Sequence, residues 1–195
     1  MHNHWPIAIM LAAGLNAHAA ARADACSVDV HLIIGVALPP GMLMDASRKA
    51  IDMFREIGVN LRLRMGKPAR DQSDSCGAPI IVQIENAAGY DGPARAMAYA
   101  LPYRESGTCI HMFLDRVTRD RTPASANALL AHVMVHEITH VLELTERHSG
   151  DGVMKAVWSD QDYQRMSRHP LQFAPEDVEK IRQGLSRRVT HASAE

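Results

Sequence analysis

The chain has 195 residues, of which 47% are hydrophobic and 22% are charged, enough apolar residues to bury the core of one domain. Its 21 Lys and Arg residues nearly balance its 22 Asp and Glu residues, and a net charge of −1 gives no broad positive field for nucleic acid. Aromatic residues make up only 5% of the chain, which also argues against a base-stacking surface, so nucleic acid is excluded as a partner.

Residues 1–25 have the pattern of a secretory signal peptide. The apolar run at 7–15 is too short to span a bilayer, and small residues follow it with the spacing of a cleavage site. We predict cleavage after Ala23 or Ala25, export to the periplasm or the extracellular medium, and no stable membrane insertion of the mature chain. A buried amino-terminal helix is one alternative interpretation, and a lipoprotein with Cys26 as the lipidated residue is a second, which Ala23 and Asp24 fit poorly.

The cysteine count bears on the same prediction. An exported chain meets an oxidising environment, so an odd count of three cysteines predicts one disulfide and one remaining thiol. The pattern does not indicate which two of them pair. The three residues are Cys26, Cys76 and Cys109.

Residues 26–195 are predicted to form a single domain. Alternating and β-branched runs predict strands at 28–34, 59–65, 80–84, 96–101 and 109–117. Helical spacing predicts helices at 42–57 and 124–144 and from residue 174 onwards, the second with Thr122 as N-cap and Pro123 in its first turn. This order predicts an α/β fold, with a mixed, mostly parallel, twisted sheet of about five strands and helices packed on it.

The predicted long helix contains the sequence HEITH, which runs from His136 to His140. Histidines four residues apart lie on the same face of a helix, so both imidazoles can reach one metal ion. Glu137 lies beside the first histidine, close enough to contact a metal-bound water without binding the metal. Zinc suits this set of donors, because imidazole is one of its preferred ligands and a catalytic site keeps one position open for water. We therefore predict one catalytic Zn²⁺.

A third protein ligand is needed, and His148 is the first candidate. If the helix continued, His148 would lie about 12 Å beyond His140 along the axis, out of reach of the same ion. The helix is therefore predicted to end soon after His140, with the chain folding back. Three acidic residues remain as alternative ligands: Glu143, Glu146 and Asp151.

These residues resemble the metzincin metallopeptidases, whose motif HExxHxxGxxH precedes a loop with a methionine, the Met-turn. HEITH matches the first half of that motif, His148 its last histidine, and Met154 the Met-turn methionine. The chain departs from the family in two ways: Glu143 stands where the family has its glycine, and the third histidine comes two residues late. It therefore resembles an outlying branch. The residues similar to the family's substrate-binding edge strand are Ala98, Tyr99 and Ala100.

The resemblance implies a metzincin-like zincin catalytic domain in which Met154 packs beneath the histidines. It implies an exported zinc-dependent endopeptidase, in which Glu137 assists attack of a zinc-bound water on a peptide bond. The substrate would be a peptide or protein that pairs with the edge strand. Two alternatives remain, a catalytically inactive metal-binding or interaction module on the same fold and a zinc hydrolase of a non-peptide amide.

Overall fold

The computed structural model describes residues 27–68, 76–104 and 107–192. The predicted signal peptide, residues 1–25, lies outside the described residues. In chain order the elements are β1 (Val28–Ile34), α1 (Met42–Glu56), β2 (Leu61–Met65), β3 (Ile80–Glu85), β4 (Ala98–Arg104), β5 (Gly107–Phe113), α2 (Leu114–Thr118), α3 (Pro123–Glu143), α4 (Asp160–Met166) and α5 (Pro175–Ala192).

The five strands form one sheet in the order β2-β1-β3-β5-β4. The first four strands in this order pair in parallel, and β4 pairs with β5 antiparallel at the edge. The predicted mixed, mostly parallel sheet with packed helices is confirmed. Because β4 is the last strand in this order, the backbone N–H and C=O groups on its outer side have no neighbouring strand among the described residues.

One face of the sheet carries the core. Side chains at every second position of β3, namely Ile80, Val82 and Ile84, are fully buried, and the residues between them are partly exposed. Ile110 and Met112 of β5 continue this apolar surface, on which the helices pack. The alternation therefore fixes which face the helices cover.

Helix α3 passes through the centre of the domain. It begins with Thr122 as N-cap, whose hydroxyl accepts a hydrogen bond from the N–H of Ser125, and most of its 21 residues are buried. Helix α5 approaches its end so closely that a Cβ at Gly184 would lie 1.6 Å from the Leu142 carbonyl oxygen, so only glycine fits there. No helix in the described part of the chain is both long and apolar enough to cross a membrane.

Two short helices differ from the sequence prediction. The strand predicted over 109–117 ends at Phe113, and α2 follows at once. The prediction was too long because a short apolar run is compatible with either a strand or a helix, and only packing decides between them. Helix α4 was not predicted, although Ser159 and Asp162 form a capping box at its start. That pair, three residues apart, is the signal by which the sequence could have revealed α4.

The cysteines lie in different settings. Cys76 is buried and disulfide-bonded, and its N–H donates to the Ser27 carbonyl beside β1 at 2.7 Å. Cys109, on β5, carries a thiol and is partly exposed. Cys26 lies outside the described residues.

Candidate metal centre

Three histidines converge at the end of α3. His136 and His140 lie on one face of the helix, and their Nε2 atoms are 3.0 Å apart. His148, from the loop that follows, brings its ring centroid to 5.3 Å from that of His136 and 4.9 Å from that of His140. One ligand nitrogen from each of the three lies within 4.8 Å of the others. The sequence-predicted triad is therefore brought together in space.

The hydrogen bonds of the first two histidines leave a donor set that fits a metal ion. His136 Nδ1 donates to the Val153 carbonyl at 2.9 Å, and His140 Nδ1 donates to the Thr145 carbonyl at 3.0 Å. In a neutral imidazole that donates through Nδ1, Nε2 carries a lone pair. Two such lone pairs facing each other repel unless a cation lies between them. A tetrahedral zinc with Zn–N bonds of about 2.0–2.1 Å would hold its nitrogens about 3.3 Å apart, close to the separation seen.

Burial keeps these imidazoles in their neutral form. It lowers the pKa of His136 to about 4, although the hydrogen bond to Val153 opposes the shift. Burial also lowers the pKa of His140, against the hydrogen bond to Thr145. Since a metal binds only the unprotonated nitrogen, both side chains are ready to bind one at neutral pH.

Glu137 follows His136 directly in the sequence. It is partly buried, and burial raises its pKa to about 7. A carboxyl group with a pKa near the working pH can both accept and return a proton. A cation at the histidines would lower this pKa again by favouring the charged form.

The end of α3 explains how His148 reaches the site. The helix ends at Glu143, and Leu144 adopts the left-handed conformation with a φ of 56°, its N–H donating to the His140 carbonyl. This residue ends the helix and turns the chain, as glycine commonly does after a helix. The turn lies one residue beyond the position of the metzincin glycine, which Glu143 occupies here. The predicted early end of the helix is therefore produced by a non-glycine residue.

The three acidic alternatives lie outside the cluster. Among the described residues, His136, His140 and His148 are the only group of three donors close enough to hold a metal. Glu143 is buried beneath the loop with Arg147 Nη2 at 3.5 Å, and burial raises its pKa to about 7. The other two, Glu146 and Asp151, are exposed.

The loop that carries His148 is tied to the start of α5. Arg147 donates to Asp177 at 2.5 Å and to Glu176 at 3.1 Å, and the Ser149 hydroxyl also donates to Asp177. The second carboxylate oxygen of Asp177 accepts from the Ala174 N–H at 3.1 Å, and the side chain is fully buried. Residues on both sides of His148 are thus fixed to one buried carboxylate. Sequence reasoning missed this network, since its partners lie about 30 residues apart.

The predicted Met-turn is hydrogen-bonded to this loop. Gly152 has a φ of 76°, and a Cβ there would lie 2.3 Å from the Gln172 carbonyl oxygen, so glycine is required. Val153 follows, its N–H donating to the same Gln172 oxygen at 3.0 Å and its own carbonyl accepting from His136. Met154 is fully buried, and its carbonyl accepts from the Ser149 N–H at 2.8 Å.

The predicted substrate-binding residues lie on the edge strand β4. Met97, just before the strand, accepts from the Phe113 N–H at 2.8 Å, so its backbone groups point toward β5. Because successive residues of an antiparallel strand alternate in this respect, the backbone groups of Ala98 and Ala100 point to the open edge. The ring of Tyr99 stacks on that of His111 at 4.7 Å, on the surface of the sheet.

Two further side chains support the site. His132, one turn before His136, is fully buried and lies outside the triad, with Nδ1 donating to the Ala128 carbonyl at 2.7 Å and Nε2 accepting from the Leu171 N–H at 3.0 Å. The ring of Trp158 lies edge-on to His136, with centroids 5.5 Å apart. Both fix the surroundings of the first histidine.

Comparison with known proteins gives one kind of match. No protein-family model matches the sequence, and no curated protein is similar to it. In structure the chain is similar to archaemetzincin from Methanopyrus kandleri, with a TM-score of 0.55 and 13% identity over 82% of this chain and 96% of that one. The fold is therefore metzincin-like, as the resemblance of the motifs implied.

Proposed function

We propose that this chain is an exported zinc-dependent endopeptidase. The observation that carries the proposal is the facing pair of unprotonated Nε2 atoms of His136 and His140, with His148 closing the triad. Glu137 follows His136 directly in the sequence. Three neutral imidazoles and one carboxyl group are the protein groups that zinc-dependent hydrolysis uses. The metzincin-like fold supports the same assignment.

The catalytic roles divide between the triad and the carboxyl group. The three histidines would hold zinc, which when bound supplies Lewis-acid activation of water and of the substrate carbonyl. Glu137 would accept a proton from the attacking water and then deliver it to the leaving amine. Burial of Glu137 raises its pKa and so offsets part of the lowering that the cation would cause, which favours the second transfer.

A peptide is the substrate that the surroundings favour. The backbone groups of Ala98 and Ala100 face an open sheet edge, and an extended peptide can add to such an edge through main-chain hydrogen bonds. This arrangement favours a peptide over a small non-peptide amide, which has no extended backbone to pair. Glu137 argues against a purely metal-binding module, which has no need of a proton acceptor at that position.

Export is supported by two separate features. Residues 1–25 have the signal-peptide pattern, with cleavage after Ala23 or Ala25. Cys76 is disulfide-bonded, a state that persists in oxidising compartments and is rare in the cytosol. The proposed location is accordingly the periplasm or the extracellular medium.

Metal analysis combined with a cleavage assay tests the proposal. We expect the purified mature chain to contain one zinc and to cleave a peptide library, and Glu137→Gln to keep the metal and lose cleavage. His148→Ala should lose most of the metal. A wild-type chain that holds zinc and cleaves no peptide would favour the inactive module or the non-peptide hydrolase, and a series of simple amides would then separate these two.

A further inference from the structure

A cavity of about 620 Å³ is lined in part by residues of α3 that precede the metal-binding histidines. Ser125 and Leu129 of α3 line its floor, eleven and seven residues before His136. These spacings place them on the same face of the helix as the metal-binding histidines, with Leu129 about 10 Å from His136 along the axis. The cavity and the triad therefore lie on one continuous stripe of α3.

The walls connect the cavity to the groups that surround the triad. Met97, which leads into the edge strand β4, lies on one side, and Tyr163 of α4 lies on the other. The Tyr163 ring contacts Trp158 with centroids 6.4 Å apart, and Trp158 contacts His136. A peptide lying along β4 would consequently lead into this cavity at one end.

The charge of the lining is strongly positive. Its four arginines are Arg95, Arg116, Arg119 and Arg121. Among the described residues that line the cavity, Asp120 is the only acidic one. Arg119 lies 4.0 Å from Asp115, and the other three arginines form no ion pair with any carboxylate in the described part of the chain. The cavity thus holds an excess of positive charge that no described acidic group neutralises.

Two of the guanidinium groups are held in place by neutral partners. Arg116 donates to the carbonyls of Pro93 and Ala96, at 3.0 and 2.6 Å, and lies over the ring of Phe113 at 4.9 Å. Arg121 donates to the Arg119 carbonyl at 2.9 Å and lies over the Tyr163 ring at 5.4 Å. Carbonyl and ring contacts orient these cations without cancelling their charge, so they remain available to an anion.

We propose that this cavity binds a carboxylate of the peptide substrate, two or three residues from the bond that is cleaved. The inference rests on the proposed peptidase function. An extended peptide advances about 3.3 Å per residue, so the 10 Å between the triad and Leu129 corresponds to roughly three residues. Arginine binds carboxylates through paired N–H groups, and the carboxylate belongs either to an acidic side chain or to the end of the peptide chain.

Paired peptides test the specificity. In each pair, one position within three residues on either side of the cleaved bond carries Glu or Gln. We expect Glu to raise kcat/KM about fivefold to tenfold at two or three residues from the bond on one side, the size of a partly exposed ion pair. A peptide that ends there as a free acid or as an amide distinguishes a terminal carboxylate from a side chain.

Arginine variants connect the preference to the cavity. Arg95→Gln and Arg121→Gln should each reduce the preference for Glu, and Arg119→Glu should shift it toward Lys. Arg165→Gln is the matched control, because Arg165 lies on the same helix as Tyr163, is exposed and does not line the cavity. The proposal would be overturned if Glu were not preferred over Gln at any position. It would also be overturned if the cavity variants kept that preference to the same extent as Arg165→Gln.

A binding measurement separates this inference from the peptidase proposal. The full-length mature chain with Glu137→Gln is titrated with the same labelled peptides, and fluorescence anisotropy reports binding without cleavage. Tighter binding of the Glu peptides, lost in Arg121→Gln, supports the cavity even if the wild-type chain cleaves nothing. Equal binding of Glu and Gln peptides overturns the cavity proposal even if cleavage is observed.

Discussion

Arg147 and Asp177 form an ion pair of 2.5 Å that joins the loop carrying His148 to the first turn of α5. The guanidinium comes from the residue just before the third histidine, and Ser149, just after it, also donates to Asp177. His148 itself is exposed and makes no described hydrogen bond that would orient its ring. Its position therefore depends on its neighbours, which one buried carboxylate holds.

Asp177→Asn should weaken zinc binding without removing it. The substitution keeps the size of the side chain but removes the charge that holds Arg147, so the loop loses its anchor, whereas His136 and His140 stay in place on α3. Loss of a partner that orients a metal ligand costs about tenfold to a hundredfold in affinity. Competition with a chelator measures the zinc dissociation constant.

Glu176→Gln is the control for that experiment. Glu176 accepts from the same arginine at 3.1 Å, but its side chain is 59% exposed, and exposed ion pairs contribute little. Its zinc affinity should stay within about twofold of wild type. An equal loss of zinc affinity in Asp177→Asn and Glu176→Gln would mean that the affinity depends on the net charge near the site and not on the buried Asp177 carboxylate.

Leu144→Gly should leave zinc binding intact and stabilise the fold by up to about 1 kcal/mol. Leu144 has a φ of 56°, a conformation that costs a non-glycine residue about 1–2 kcal/mol and that glycine adopts freely. Part of this gain is lost, because glycine gives up more backbone entropy on folding than leucine does. Glu143→Gly, at the position of the metzincin glycine, should instead destabilise by about 1 kcal/mol, because residue 143 is helical here. Denaturant unfolding measures both. The opposite ranking would mean that the turn lies at residue 143.

This turn shows where sequence reasoning succeeded and where it could not succeed. The spacing of His136, His140 and His148 predicts an early end of the helix, since a straight helix would separate the last two. The residue that makes the turn was not predictable, because leucine rarely adopts the left-handed conformation and nothing local marks Leu144. The Arg147–Asp177 pair was missed for a related reason, since long-range pairing between exposed-looking charges leaves no periodic signal.

The larger elements were easier to predict than the short ones. The strands and the three longer helices have enough residues for their apolar periodicity to be read, and the buried face of β3 alternates throughout. Helices α2 and α4 have only five and seven residues, so packing and capping decide them. The basic cavity was not predicted either, because its arginines come from separate segments that meet only in the fold.

The metal-free protein should lose stability in acid through His132. Burial lowers the pKa of His132 to about 4, from an ordinary value of 6.5, although the hydrogen bond to the Ala128 carbonyl opposes the shift. The unfolded chain therefore takes up a proton that the folded chain refuses. Stability contributed by the neutral ring is present above pH 6.5 and is lost as the pH falls from 6.5 toward 4, by roughly 3 kcal/mol in total.

Unfolding by urea at pH 7.5, 6 and 4.5 checks this expectation for His132. In the wild-type chain the buried His136, whose pKa is likewise about 4, adds to this loss, whereas Glu137 and Glu143, whose pKa burial raises to about 7, oppose it. The contribution of His132 is therefore measured as the difference between wild type and His132→Gln. His132→Gln should start less stable and show a slope smaller by about one proton. Parallel curves for the two proteins would mean that His132 does not titrate with folding.

Proline at the edge strand should weaken peptide binding while leaving the sheet intact. The backbone N–H groups of Ala98 and Ala100 point away from β5, and proline removes one such donor at a position where edge strands tolerate it. Ala98→Pro or Ala100→Pro should raise KM for a peptide several-fold, with zinc content and unfolding midpoint close to wild type. Tyr99→Pro is the contrasting variant. The backbone N–H of residue 99 points toward β5, so its removal should lower the unfolding midpoint. An unchanged KM in both Ala98→Pro and Ala100→Pro would show that the substrate does not pair with β4.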